Sequence, residues 1–153
     1  MAYRADDARR EMLEVLAGAT DDIGVALAAI GAAYEQIADQ RTADRLEEEL
    51  FRPVQQAYGK ARRTHDGFAR RHGLPTGTFE QASAGVPSTG VPGFLDVALE
   101  AIERADTALA ELQDSMRPVE VGDAELRAGL AEVRELVGVL PERTRAFTRT
   151  LGR

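Results

Sequence analysis

The stretch Leu126-Arg127-Ala128-Gly129-Leu130-Ala131-Glu132-Val133-Arg134-Glu135-Leu136-Val137-Gly138-Val139-Leu140 opens an apolar row that continues through Thr144, Phe147 and Leu151. Leu126, Leu130, Val133, Val137 and Leu140 step by four and three without a miss. A period near 3.5 residues sets these side chains along one seam of a helix, and such a seam needs a partner to leave water. Met12, Leu16, Thr20, Ile23, Leu27, Ile30, Tyr34 and Ile37 form a second seam. Val54, Tyr58, Ala61, His65, Phe68 and His72 form a third, and Leu95, Ala98, Ile102, Ala105, Leu109, Leu112 and Met116 a fourth. Turning the four seams inward buries them all. This predicts an all-α fold, an antiparallel up-down-up-down four-helix bundle with one long loop between its second and third helices.

Length agrees with a single domain over residues 1–153, enough chain to bury roughly 70% of its unfolded surface. The absence of Cys excludes a disulfide framework and thiolate metal sites. The longest uncharged run, Ile23 to Tyr34, falls short of the roughly 20 apolar residues of a membrane span, so no span is expected. Asp6, Asp7 and Glu11 break the basic-then-apolar order of a signal peptide, and a cytoplasmic address is the expectation.

Punctuation sets the helices at about residues 3–38, 44–72, 94–117 and 124–151. Thr42 or Asp44 is expected to cap the second helix, and Pro53 to bend it or mark its first turn. Arg70-Arg71-His72-Gly73-Leu74-Pro75 carries a strong helix stop, with Gly73 at the left-handed position. Asp123 is the expected N-cap of the last helix, which Pro141 should kink. Residues 75–93, with Gly85-Val86-Pro87 and Gly90-Val91-Pro92-Gly93, read as extended or turn-like; Phe79, Val86 and Val91 are candidates to staple this loop over an open end.

Up-down-up-down order would gather Arg4, Arg9, Arg10, Arg70, Arg71 and Arg149 at one end, and Asp39, Asp44, Asp114 and Asp123 at the other, despite a net charge of −7. Lys60, Arg63, Arg70 and Arg71 share a helix face and are candidates to bind an anionic ligand. Specific nucleic-acid binding is not expected, because the total charge is negative and no aromatics interleave the basic stripe. Asp96, Glu100, Glu103, Glu111 and Asp114 form an outward stripe, too closely spaced and wrongly directed for a convergent metal centre.

Catalytic parts are missing. His65 and His72 lack the Glu three residues earlier that a bundle di-metal centre needs, and His65 reads as a packed core histidine rather than a phosphate acceptor. Ser83, Ser88 and Ser115 have no local histidine, and no strand feeds a phosphate-binding glycine loop. No catalytic, cofactor-binding or metal-binding residue is assigned, no cofactor is implied, and the chain is not expected to be an enzyme.

Ala17, Gly24, Gly31 and Ala38 recur every seven residues along the first helix. Interior helical glycines cost about 1 kcal/mol each relative to Ala, so a close helix contact should offset them. The first helix is also apolar around most of its girth between Ile23 and Tyr34. These features predict a protein-binding or scaffolding bundle that self-associates through helix 1, as a homodimer or with another helical protein. The alternative is a small-ligand or anion-binding bundle using the arginine-rich end and the 75–93 loop.

Overall fold

The computed structural model describes residues 2–79, 82–85 and 90–151, with side-chain surroundings from Arg4 onward. All regular structure among them is helical, so the chain is all-α. The elements are α1 (Ala2–Gln36), α2 (Gln40–Leu46), a π-helical turn (Glu47–Phe51), α3 (Arg52–Arg71), α4 (Gly90–Asp114), α5 (Arg117–Glu120), α6 (Ala124–Gly138) and α7 (Leu140–Leu151).

Local chemistry explains most boundaries. Asp39, rather than Thr42 or Asp44, caps α2: its carboxylate accepts from the Thr42 amide at 3.0 Å and the Thr42 hydroxyl at 2.6 Å. The helix then runs continuously to Arg71, widened to π geometry just before Pro53. Proline has no N–H to give the Glu49 carbonyl, and that oxygen instead accepts from the Arg143 guanidinium at 3.5 Å. At the far end Gly73 takes φ +66°, and the Leu74 amide reaches back to the Ala69 carbonyl at 2.8 Å, the expected left-handed stop. Asp123 caps α6 through the Leu126 amide at 2.8 Å, as its position indicated. The chain breaks helix at Val139 and resumes at Leu140, one residue before Pro141.

One boundary departs from expectation for a clear reason. Gly90 to Gly93 is not extended but forms the first turn of α4, where Pro92 sits among amides that have no intrahelical acceptor anyway. Of the tandem's first half, Val86 and Pro87 lie outside the described residues. At the other end α4 stops at Asp114, and Met116, at φ +66°, turns the chain into α5. Met116 is therefore not a seam residue but 53% exposed.

The helix directions correct the up-down-up-down order. On α1 and α3, Gly24 faces Tyr58 and Gly31 faces Phe51, so the two run antiparallel. Between α1 and α4, Asp22 pairs with Arg104 at 3.2 Å, Glu11 pairs with Arg117 just beyond α4, and Gln36 lies beside Gly90. These two are antiparallel as well. Lys60 pairs with Glu132 and Arg71 with Asp123 across α3 and α6, while Asp106 meets Arg134 and Glu103 meets Arg145 across α4 and α6–α7. Each of these pairs is antiparallel. Helices α3 and α4 therefore point the same way, and the order is up, down, down, up.

Residues 75–89 must then cross from one end of the molecule to the other. Leu74 lies at the level of Leu13, and Gly90 at the level of Gln36. That is about 35 Å along α1, within the roughly 50 Å that such a connection can reach when extended. The strap starts on the α3 flank of α1 and ends on its α4 flank. Packing against α3 and α4, with Phe79, Ala82 and Ala84 of the strap beside it, accounts for much of the apolar girth of α1.

The core runs between the four seams. Met12, Leu16, Ile23, Ile30, Leu50, Phe68, Leu95, Ile102, Leu109, Leu126, Leu130 and Phe147 are buried. Thr20 and Thr144 are buried too, their hydroxyls donating to the Leu16 and Leu140 carbonyls at 2.7 Å. By length and composition, Arg4–Gln36 would also suffice to cross a membrane. Long core helices of bundles share that property, and the uncharged run from Ile23 to Tyr34 is only a part of this one.

Candidate functional site

Antiparallel packing of α1 on α3 opens a groove of about 650 Å³ under the strap. Gly24, Ala28, Gly31 and Ala32 of α1 make a floor without bulk, Phe51 and Tyr58 of the other helix make the wall, and Phe79, Ala82 and Ala84 of the strap border it. The small-residue stripe thus has a partner within its own chain. A Cβ on Gly24 would stand 3.1 Å from the Tyr58 ring, and one on Gly31 3.7 Å from Phe51. Ala17, one heptad earlier, lines a smaller cavity with His65, Leu74 and Gly77, whereas Ala38 lies beyond α1 and is exposed.

The strap is anchored where it leaves α3. The Gly77 amide donates to Asp66 Oδ1 at 3.0 Å, and the same oxygen lies 2.9 Å from His65 Nδ1. Burial pushes the Asp66 carboxyl up, but the Gly77 and His65 hydrogen bonds outweigh it and hold the group below its ordinary pKa. His65 is 4% exposed, with Phe79 packed edge-on at 5.3 Å between ring centroids. The imidazole is thus a packed anchor, as its seam position indicated. Phe79 does act as a staple, although along the α3 flank rather than over an open end. Its ring leaves no space for a side chain at position 77, where a Cβ would fall 2.6 Å from it.

Charge borders the groove at both ends. The exposed Arg62 guanidinium lies 5.6 Å from the Tyr58 ring centroid and 5.3 Å from that of Phe79. Glu35 lines the opposite end, and Glu47 joins it in an adjoining hollow with Tyr34 and Phe51. Sequence reasoning missed Arg62, because its value comes from the strap folding back onto Tyr58.

The four proposed anion-binding residues separate. Lys60 pairs with Glu132 at 2.9 Å. Arg71 donates to both oxygens of Asp123 at 2.8 and 2.9 Å and pairs with Glu125 at 2.8 Å. The Arg71 pair, opposed by desolvation and aided by the Leu126 amide and His72, holds the Asp123 carboxyl well below the carboxylate range. Arg63 and Arg70 have no ion-pair partner within 4.0 Å among the described residues. The expected basic end does not exist: with α3 and α4 parallel, Arg9 and Arg10 share an end with Asp123 and Glu125. Arg9 there donates to the Val121 carbonyl at 3.0 Å and pairs with Asp6.

No cluster of three or more metal-ligating side chains occurs among the described residues. The chain matches no family model, no curated protein and no solved structure.

Proposed function

We propose that the protein is a non-enzymatic binding module, an up-down-down-up bundle of four helical arms whose α1–α3 groove receives a helical segment of a protein partner. The groove floor carries the reading: four small residues beside two aromatic rings leave a trough of about 650 Å³. Such a trough suits an amphipathic helix laid along it, anchored at helical spacing. The charged ends add polarity, since Arg62 favours an acidic end of the guest and Glu35 with Glu47 a basic one. A second copy of the chain is the simplest source of that guest. Under two-fold symmetry about the middle of the groove, Arg62 of each copy would meet Glu35 of the other.

Light scattering on a sizing column, with Arg62→Glu, Glu35→Arg and the double variant, tests this. A dimer is expected that each single change weakens and the double change restores. A monomer at all concentrations would remove the second copy as guest; a dimer indifferent to all three variants would remove the groove as the contact.

A further inference from the structure

The segment Gly59-Lys60-Ala61-Arg62-Arg63 recurs eight residues later as Gly67-Phe68-Ala69-Arg70-Arg71, both within α3. In each copy the last arginine folds back over the glycine one turn earlier. A Cβ on Gly59 would lie 3.0 Å from Arg63 Nη1, and one on Gly67 3.1 Å from Arg71 Nη1. Glycine weakens a helix interior, so this seat calls for a compensating interaction. In the second copy the compensation is visible: Arg71 grips the two oxygens of Asp123 through Nε and Nη2.

The first copy holds a similar pose with no carboxylate partner within 4.0 Å among the described residues. Glu132 and Glu125, which share a cleft with Arg63, are engaged by Lys60 and Arg71. On its other side Arg63 joins Gly59, Arg62, Asp66 and Arg70 around a cleft of about 260 Å³. Among the described residues Asp66 is the only acid that lines this cleft, and its Oδ1 is already held by the Gly77 amide and His65. Compensation of the helix dipole accounts for Arg70 in the last turn, but not for Arg62 and Arg63, which lie two turns further in.

We propose that this cleft binds the oxyanion of a phosphate-bearing small ligand, with Arg63 gripping two oxygens as Arg71 grips Asp123 and with Arg62 and Arg70 completing the cradle. Three guanidiniums around one carboxylate leave a double positive charge, which suits a phosphate dianion and exceeds what a single carboxylate would neutralise. The site stands apart from the α1–α3 groove and shares only Arg62 with it.

Calorimetric titration of the intact chain with tripolyphosphate, at low and high salt, tests the proposal. One ligand per chain is expected, with an affinity that falls as salt rises. Arg63→Gln/Arg70→Gln should weaken binding by about tenfold or more, whereas Lys60→Gln, whose ammonium is held by Glu132, should change it little. Arg63→Lys keeps charge but loses the planar fork; it should also bind more weakly, and it serves if the double variant fails to fold. Absence of binding up to about 10 mM, or binding that survives the Arg63 and Arg70 substitutions, would overturn the proposal. So would tighter binding of an oligonucleotide with several chains per strand, which would make the site a polymer-backbone contact.

Discussion

Gly129 is where α6 comes closest to α3, and the cost of adding one methyl group there can be worked out. A Cβ at position 129 would stand 2.4 Å from Thr64 Oγ1, 2.7 Å from Thr64 Cγ2 and 3.1 Å from Thr64 Cβ. Rotating Thr64 about χ1 cannot clear all three, because Cβ does not move, and its hydroxyl is held by the Lys60 carbonyl at 2.8 Å. The helices must therefore part. Overpacking costs about 1–3 kcal/mol, with two contacts under 3.0 Å placing this site in the upper half of that range, and the better helix propensity of alanine returns about 1 kcal/mol. Gly129→Ala should thus lose about 1–2 kcal/mol in urea unfolding and melt a few degrees lower. Thr64→Ala removes the two nearest atoms, leaving only a 3.1 Å approach to Cβ. In that background Gly129→Ala should be neutral or stabilising, giving a coupling of about 2 kcal/mol across the four proteins. Additive effects, or a Gly129→Ala variant as stable as the parent, would refute the close contact.

Asp123→Ala removes an N-cap and both bonds to Arg71, and should cost about 2 kcal/mol by chemical denaturation. Because the folded carboxyl lies below its ordinary value of 3.8, its stabilisation is complete above about pH 4 and is lost as the pH falls toward the folded value. The gap between the parent and Asp123→Asn should therefore be widest near neutrality and narrow in acid; a gap that grew in acid would contradict the pairing. Gly18 is exposed in the middle of α1, and a Cβ there would meet nothing within 4 Å. Gly18→Ala should raise stability by about 0.5–1 kcal/mol in thermal melts, and a loss of that size would show that the position packs against something.

Periodicity made the helices and most of the core legible: Leu126, Leu130, Val133, Val137, Leu140 and Phe147 are all buried as their spacing required. Side-chain chemistry made Gly73 and Asp123 legible, because a left-handed stop and an N-cap are local events. Direction was not legible. A 15-residue connection fits either a wide turn or a crossover, and the pairings of Asp22 with Arg104 and of Glu11 with Arg117, which set α4 antiparallel to α1, distinguish the two. The candidate site depended on that choice. Lys60 and Arg71 looked available on a helical projection because their partners, Glu132 and Asp123, lie far along the chain on a helix whose placement periodicity cannot supply. Arg62 looked like one more surface cation until the strap laid Phe79 against it.

The crossover also bears on how the chain can be assembled. It joins two antiparallel hairpins, α1 with α3 and α4 with α6–α7, that meet along their full length. Each hairpin closes through a short turn of its own, so the strap acts as a tether that fixes the concentration of one hairpin in the presence of the other. A tether pays for extra length only logarithmically, roughly 0.6 kcal/mol for each doubling. Sequence drift should thus be tolerated more readily after Phe79 than before it, because Gly77, held by Asp66, and Phe79, packed on His65, fix the tether to α3.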